Sequence, residues 1–203
     1  LLKKILKKSL PIALTGIALY ISNWFGVIYL TTTGVSQDLT YYFLAGKFAG
    51  AHLILISMLY FAYIPALSKM DHPRLEILFK RWLWVVLLYV VLSSLTVIYI
   101  LLPLITKFWG PEYQRVQIYY INYIPWILFS CISYYSGMFI YARGLVSIIG
   151  KFQIILAIFT SFNIILGYSK WGSISLPLAE ALAMLIAGIG LYVFWQRHCR
   201  NVT

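Results

Sequence analysis

Residues 10–30 read LPIALTGIALYISNWFGVIYL and contain no acidic, basic or histidine side chain. At a rise of about 1.5 Å per residue, a helix of this length covers roughly the 30 Å hydrocarbon core of a bilayer. Just before it stand Lys3, Lys4, Lys7 and Lys8. Basic residues beside an apolar helix mark its cytoplasmic end, so the stretch predicts a membrane span that starts in the cytoplasm.

The composition of the whole chain also indicates a membrane protein. Of its 203 residues, 62% are hydrophobic and only 10% are charged, whereas soluble domains have about 25% charged residues. Mean hydropathy is +0.87. The formal net charge of +11 does not indicate nucleic acid as a partner, because the basic residues fall between apolar runs rather than along one face.

Further apolar segments follow the first, and together they predict an all-α, polytopic transmembrane bundle of about six helices in one domain, residues 1–203. The expected helices cover residues 10–30, 41–67, 82–106, 116–141, 145–167 and 174–195. Residues 68–81 are expected to form a basic loop. Pro65 is expected to break the last turn of the second helix, and Gly110 with Pro111 to form a turn.

Lysine and arginine are distributed unequally between the two sides of this bundle. Of the 16 basic residues, twelve fall on the side of the N-terminus, in the first segment, residues 68–81, the Arg143/Lys151 link and the tail. Only Lys107, Arg115 and Lys170 fall on the opposite side. This asymmetry predicts that both termini are cytoplasmic.

Residues for catalysis or metal binding are scarce and scattered. The carboxylates are Asp38, Asp71, Glu76, Glu112 and Glu180, and the histidines are His52, His72 and His198. None forms a known catalytic or metal-ligand spacing, so we expect no enzyme, no metal and no cofactor. Cys131 and Cys199 are expected to lie too far apart for a disulfide.

Polar residues inside the spans are the candidates for function, since a charge in a bilayer usually faces a bundle interior or an aqueous cavity. Lys47 either snorkels to the outer interface or lines a path for an anionic group. Glu180 either fixes helix packing as a paired or protonated carboxyl, or lines the same path. His52 is expected to be a satisfied interior histidine rather than a proton carrier.

Amide side chains and small residues predict contacts between helices. We expect interhelical hydrogen bonds from Asn23, Asn122, Asn163 and Gln153. Gly46 and Gly50, and the stripe Ala179, Ala183 and Ala187, have the spacing of four that lets helices approach closely.

Several longer motifs resemble a known family when taken in order. They are KKSLPIALTGIALYISNWFGVIYLTTTGV (7–35), TYYFLAGKFAG (40–50), IPALSKM (64–70), LPLITKFWGPEYQ (102–114) and FNIILGYSKWGSISLPLAEAL (162–182). The chain resembles the C-terminal half of a bacterial polysaccharide flippase of the multidrug/oligosaccharidyl-lipid/polysaccharide exporter superfamily. Many members carry an acidic and then a basic residue midway through the first helix, where this chain has Asn23 and Trp24.

The resemblance implies one lobe of a two-lobe carrier in the bacterial inner membrane, whose partner would be an N-terminal lobe or a second chain. The carrier would move a lipid-linked oligosaccharide to the periplasmic leaflet by alternating access. A cationic cavity suits the pyrophosphate of such a substrate, with Lys47 inside and Arg143 and Lys151 near the cytoplasmic entrance, unless these two only set topology. The other cavity candidates are Glu180, Asn23 and His52.

Two alternatives to this function remain open. A drug or cation antiporter of the same superfamily would favour carboxylates in the cavity, where only Glu180 is available. A structural membrane subunit would transport nothing.

The predicted topology can be tested by cysteine labelling in intact cells. Cys199 in the tail should resist a membrane-impermeant maleimide until the cells are permeabilised, because the tail is expected to be cytoplasmic. A Gln114→Cys variant should be labelled without permeabilisation. Labelling of Cys199 in intact cells would contradict the predicted orientation.

Overall fold

A computed structural model describes residues 2–33, 36–142 and 146–199, except for the side chains of residues 2–12, 15, 19, 36, 60, 61, 72, 73, 146, 147, 195, 196, 198 and 199. Helices within these ranges are α1 (Leu2–Thr33), α2 (Ser36–Leu67), α3 (His72–Thr96), α4 (Leu102–Trp109), α5 (Arg115–Ala142), α6 (Val146–Trp171) and α7 (Leu176–Cys199). A π-helical turn, Val97–Leu101, joins α3 to α4, and 3₁₀ turns at Pro111–Gln114 and Ser173–Ser175 precede α5 and α7. The described chain contains no strand, which confirms the all-α class.

Helical segments long and apolar enough to cross a membrane number five among the described residues. They are Gln37–Leu67, Arg74–Trp109, Pro111–Ala142, Ile148–Trp171 and Ser173–Phe194. These correspond to the second through sixth predicted spans and confirm a helical membrane protein. Residues 10–30 lie within α1, and their role as a further span stays a prediction.

The prediction of a basic loop over residues 68–81 is wrong for most of that segment, because α3 begins at His72. Asp71 has an extended backbone at the N-cap, and Pro73 lies in the first turn, where its missing N–H costs no hydrogen bond. Leu75 and Phe79, one turn apart, are both buried. Their burial against the rest of the bundle explains why this charged segment is helical.

Pro65 also behaves differently from the prediction, since α2 continues as a helix through it to Leu67. The predicted turn at Gly110 is confirmed, because its φ of +119° lies in a region that favours glycine. Gly172 has a φ of +70° and reverses the chain between α6 and α7. Gly110 therefore ends α4, and Gly172 ends α6.

The helix α5 lies at the centre of the bundle. It packs against α2 on one side and α7 on another, while α6 packs on α7 and α1 packs on α6. The buried face of α5 includes Tyr120, Tyr123, Ile127 and Cys131. The bundle therefore brings α2, α5 and α7 together, although they are distant in the chain.

Small residues permit close contacts between α7 and its neighbours. Ala179, Ala183 and Ala187 are all buried, as the spacing predicts. A Cβ placed on Gly188 would lie 2.9 Å from Ser133 Oγ of α5, which donates a 3.0 Å hydrogen bond to the Met184 carbonyl. At this point α5 and α7 approach closely because the residue on α7 is a glycine.

Close packing on α2 differs from the expectation. Ala45 and Ala49 are fully buried, whereas a Cβ placed on Gly50 would meet no described atom within 4 Å. A Cβ on Gly46 would lie 3.2 Å from the Tyr123 hydroxyl. The seam of α2 therefore lies one residue before each glycine, and Gly50 borders open space.

A chain of hydrogen bonds at one end of the bundle joins the first turn of α2, the second turn of α5 and the 3₁₀ turn that precedes α7. Ser173 Oγ donates to Asp38 Oδ2 and lies 2.7 Å from the Tyr119 hydroxyl. Since Ser173 has a single hydroxyl proton, Tyr119 donates to it. The three helix starts therefore lie at the same end, as the predicted alternation of spans requires.

We expect Ala183→Leu to lower the free energy of unfolding by about 1–3 kcal/mol, because the added atoms have no room between packed helices. The measurement is thermal or denaturant unfolding of the purified chain in detergent micelles. The matched control is Ala62→Leu, since Ala62 is exposed on α2. Equal effects of the two substitutions would contradict this account of α7 packing.

Candidate functional site

The central cavity is a space of about 420 Å³ between α1, α2, α5 and α7. Its polar lining residues are Asn23, Tyr42, Lys47, Tyr123, Tyr134 and Glu180, and its aromatic walls also include Trp24, Phe43 and Trp126. Three of the six residues proposed from sequence, Lys47, Glu180 and Asn23, therefore meet here. Its volume and its mixture of apolar walls with few polar groups are typical of small-ligand sites.

Tyr42 connects all four helices around the central cavity. Its hydroxyl donates a hydrogen bond to Glu180 Oε1 on α7, and its ring lies 5.7 Å from that of Tyr123 on α5. On α1, a Cβ placed at Gly26 would overlap the same hydroxyl oxygen. Only glycine at position 26 therefore allows Tyr42 to reach Glu180 in this arrangement.

Glu180 is held at the wall of the cavity rather than free within it. The residue is only 6% exposed, and Tyr42, its hydrogen-bond donor, is 2% exposed. Within the described part of the chain Glu180 forms no ion pair. A buried carboxyl needs a hydrogen-bond donor to offset its desolvation, and the Tyr42 phenol supplies one.

Lys47 is the exposed charge of the central cavity. Because α2 begins at Ser36, Lys47 lies about 17 Å along the helix, further from its start than the sequence suggested. Its Nζ lies 4.7 Å from the centroid of the Phe43 ring and 5.7 Å from that of Trp24. These rings attract the ammonium group through their electron-rich faces and so hold it at the α1–α2 side of the cavity.

His52 lies outside the walls of the central cavity as described. It is buried, with Nδ1 2.8 Å from the Phe48 carbonyl and Nε2 3.2 Å from the Tyr120 hydroxyl. A carbonyl only accepts, so Nδ1 carries a proton and a neutral ring accepts from Tyr120 at Nε2. Both nitrogens are satisfied, as expected for a structural histidine.

Of the remaining candidates, Lys151 lies outside the described lining of the central cavity. Lys151 is exposed on α6, while Arg143 lies outside the described residues. Of the predicted amide bonds, Asn122 Nδ2 donates a long one, 3.5 Å, to the Ile174 carbonyl. Asn163 Nδ2 and Gln153 Oε1 are buried without a hydrogen-bond partner among the described residues.

Sequence reasoning missed Tyr42, Tyr123 and Gly26 as parts of the site. A signal for Tyr42 was available, since it precedes Gly46 and Gly50 at intervals of four and so shares their helix face. No local pattern marks Tyr123 or Gly26, because their roles depend on helices elsewhere in the chain. No group of three or more His, Cys, Asp or Glu side chains that could hold a metal ion occurs in the described ranges.

Comparison with models of protein families, with curated proteins and with solved structures finds no match for this chain. A functional assignment therefore depends on the geometry of the central cavity and on the motifs of the sequence.

A double-mutant cycle tests the Tyr42–Glu180 contact. We expect Tyr42→Phe to lower the free energy of unfolding by about 1–3 kcal/mol, because it leaves a buried carboxyl without its donor. In a Glu180→Met background the same substitution should cost much less, since no carboxyl then remains to be satisfied. Denaturant unfolding in detergent micelles measures both values.

Tyr99→Phe is the control for this cycle, because Tyr99 is 73% exposed. It should leave the free energy of unfolding unchanged. Equal losses from Tyr42→Phe in the wild-type and Glu180→Met backgrounds would show that the two side chains do not interact.

Proposed function

We propose that this chain is one lobe of a membrane transporter that moves an anionic, lipid-linked oligosaccharide by alternating access. One observation carries the proposal: Lys47 is exposed in a cavity of about 420 Å³ whose walls include α2, α5 and α7, three helices able to cross a membrane. The resemblance of the sequence motifs to bacterial polysaccharide flippases supports the same function and a location in the inner membrane.

The position of Lys47 favours an anionic substrate. A lysine far from a helix end is costly in lipid and is usually kept where it faces a water-filled cavity. Its ammonium group is a compact charge with several donors, which suits a phosphate or pyrophosphate. Outside bulk water the attraction is stronger, because the effective dielectric constant is lower.

The walls of the cavity suit the remainder of such a substrate. Trp24, Tyr123 and Trp126 provide aromatic surface, and Asn23 provides an exposed amide for hydroxyl groups. Ligand sites commonly combine apolar walls with a few polar groups that orient the ligand. A sugar with both hydroxyl groups and apolar ring faces matches this combination.

A second lobe is part of the proposal. Alternating access requires two bodies that rock about a shared site. The α1–α2 side of the cavity is open, since its residues Asn23, Phe43 and Lys47 are exposed. This side therefore offers a surface for the second body. The second body would be another segment of the same protein or a separate chain.

A cation antiporter is the second candidate, and Glu180 is the observation that favours it. The carboxyl lines the cavity, as the binding of a cationic drug would require. However, Glu180 is buried and bonded to Tyr42, whereas the exposed charge is the Lys47 cation. Repulsion from Lys47 would weaken cation binding, so the anionic substrate agrees better with the geometry.

We expect Lys47→Ala to reduce transport at least about tenfold, since an interaction of 1.4 kcal/mol corresponds to roughly a factor of ten. Lys47→Arg should retain much of the activity, because it keeps the charge. Two quantities are measured: the amount of surface polysaccharide in a strain that expresses the variant, and the translocation of a fluorescent pyrophosphate-linked oligosaccharide across membrane vesicles from that strain. Immunoblotting should confirm equal amounts of protein in the membrane.

Lys107→Ala is the matched control, because it removes an exposed lysine outside the described cavity walls. It should transport like the wild type. Normal transport by Lys47→Ala at matched expression would refute the role of Lys47. Loss of cationic drug export in a Glu180→Gln variant that keeps polysaccharide export would favour the antiporter instead.

A further inference from the structure

The outer groove is a second space, of about 580 Å³, that lies over the start of α7 between α5 and α6. It shares no described lining residue with the central cavity. We propose that the outer groove binds one anionic phospholipid, with the lipid phosphate at Lys170. This inference requires only that the helices lie in a membrane and does not depend on the transport proposal.

Polar groups gather at the end of the groove nearest the α6–α7 turn. Lys170 is exposed in the last turn of α6, and no carboxylate pairs with it in the described part of the chain. Asn122 contributes an amide whose Nδ2 makes only the long bond to Ile174, so its second N–H is available. Together the Lys170 ammonium group and the free N–H of Asn122 can donate hydrogen bonds to the oxygens of a phosphate.

Trp171 is positioned like a residue of the membrane interface. It ends α6, is 72% exposed, and lies next to the turn at Gly172. The Lys170 Nζ lies 5.9 Å from the centroid of the Trp171 ring. Tryptophan and lysine at a helix end are typical of headgroup depth, where a lipid phosphate also lies.

Apolar side chains line the groove away from this polar end. Three of these side chains are exposed leucines: Leu178 and Leu182, one turn apart on α7, and Leu166 on α6. Their surfaces can contact acyl chains directly below the phosphate. A cation at one end and an apolar wall beyond it match the phosphate and the acyl chains of a phospholipid.

The floor of the groove is formed by a close approach of α6 to α7. A Cβ placed on Gly167 would lie 3.1 Å from Ser175 Oγ and 3.7 Å from Ala179 Cβ. Beside it, Asn163 Nδ2 is buried without an acceptor among the described residues.

These features favour a lipid over a protein partner. Basic pockets between transmembrane helices are recurrent binding sites for anionic lipid headgroups. A protein partner would bind through a broad surface with a polar rim and several paired charges. Among its described lining residues, this groove instead has one cation, Lys170, above exposed leucines. We therefore assign the groove to one lipid molecule from the surrounding leaflet.

Quenching of Trp171 fluorescence by brominated lipid tests the assignment. The full chain is placed in phosphatidylcholine vesicles that contain equal small fractions of either brominated phosphatidylglycerol or brominated phosphatidylcholine. The signal of a Trp171→Phe variant is subtracted to isolate Trp171. We expect the anionic quencher to act at lower mole fraction, and Lys170→Gln to reduce this preference about fivefold.

Two variants serve as controls in the same vesicles. Lys107→Gln removes an exposed lysine from the last turn of α4 and should leave the lipid preference unchanged. Lys170→Arg keeps the charge and should retain most of the preference. Circular dichroism should show the same helical content in all variants.

Several results would overturn the proposal. Equal quenching of Trp171 by the two brominated lipids would mean ordinary contact with the bilayer, without a site. Absence of Trp171-dependent quenching by either lipid would mean that protein covers the groove. A preference that survives Lys170→Gln, or that Lys107→Gln removes equally, would exclude Lys170 as the phosphate ligand.

Discussion

The hydrogen bond from Tyr42 to Glu180 is the interaction on which the centre of this bundle depends. It joins α2 to α7, and the ring of Tyr42 at the same time contacts Tyr123 of α5 and passes Gly26 of α1. A buried carboxyl in a membrane protein is tolerated only when its environment supplies a hydrogen bond or a charge. The phenol of Tyr42 therefore lies where all four helices meet, and the central cavity lies beside this meeting point.

Beyond this polar contact, the bundle is built mainly from close packing. Apolar side chains gain little from leaving lipid, so helices in a membrane associate through van der Waals contact and hydrogen bonds. The Ala179–Ala183–Ala187 stripe satisfies this requirement on α7, and Ala45 with Ala49 does so on α2. Large apolar side chains such as Leu88 and Phe162 instead face outward, as expected for a surface whose solvent is lipid.

The lysines of the two proposed sites share a local arrangement. Lys47 lies over Phe43 and Trp24, and Lys170 lies near Trp171. In each case an aromatic ring limits the positions of a long, flexible cation without neutralising its charge. Such a cation remains available to an anionic ligand. The central cavity and the outer groove therefore share one feature, a lysine positioned by an aromatic ring. The two spaces differ in location, since one lies between four helices and the other opens at the edge of α6 and α7.

The sequence by itself determined the helical class, most of the spans, the turn at Gly110 and the alanine stripe of α7. Each of these features depends on residues close together in the sequence, so a local sequence pattern can predict it. The prediction of a loop at residues 68–81 is wrong because it follows from the charges alone, whereas Leu75 and Phe79 form the buried face of a helix. The sequence also singled out Lys47 and Glu180 as unusual charges in apolar helices.

Only the tertiary structure decided which of these residues meet. Tyr42 and Glu180 are 138 positions apart, and Ser173 is 135 positions from Asp38. Local periodicity specifies the face of a helix on which a residue lies, but not the neighbouring helix that the face contacts. That choice depends on how the shapes of all the helices fit together. For this reason the pairing of Glu180, the contact of Lys47 with Trp24 and the role of Gly26 could be found only from the fold.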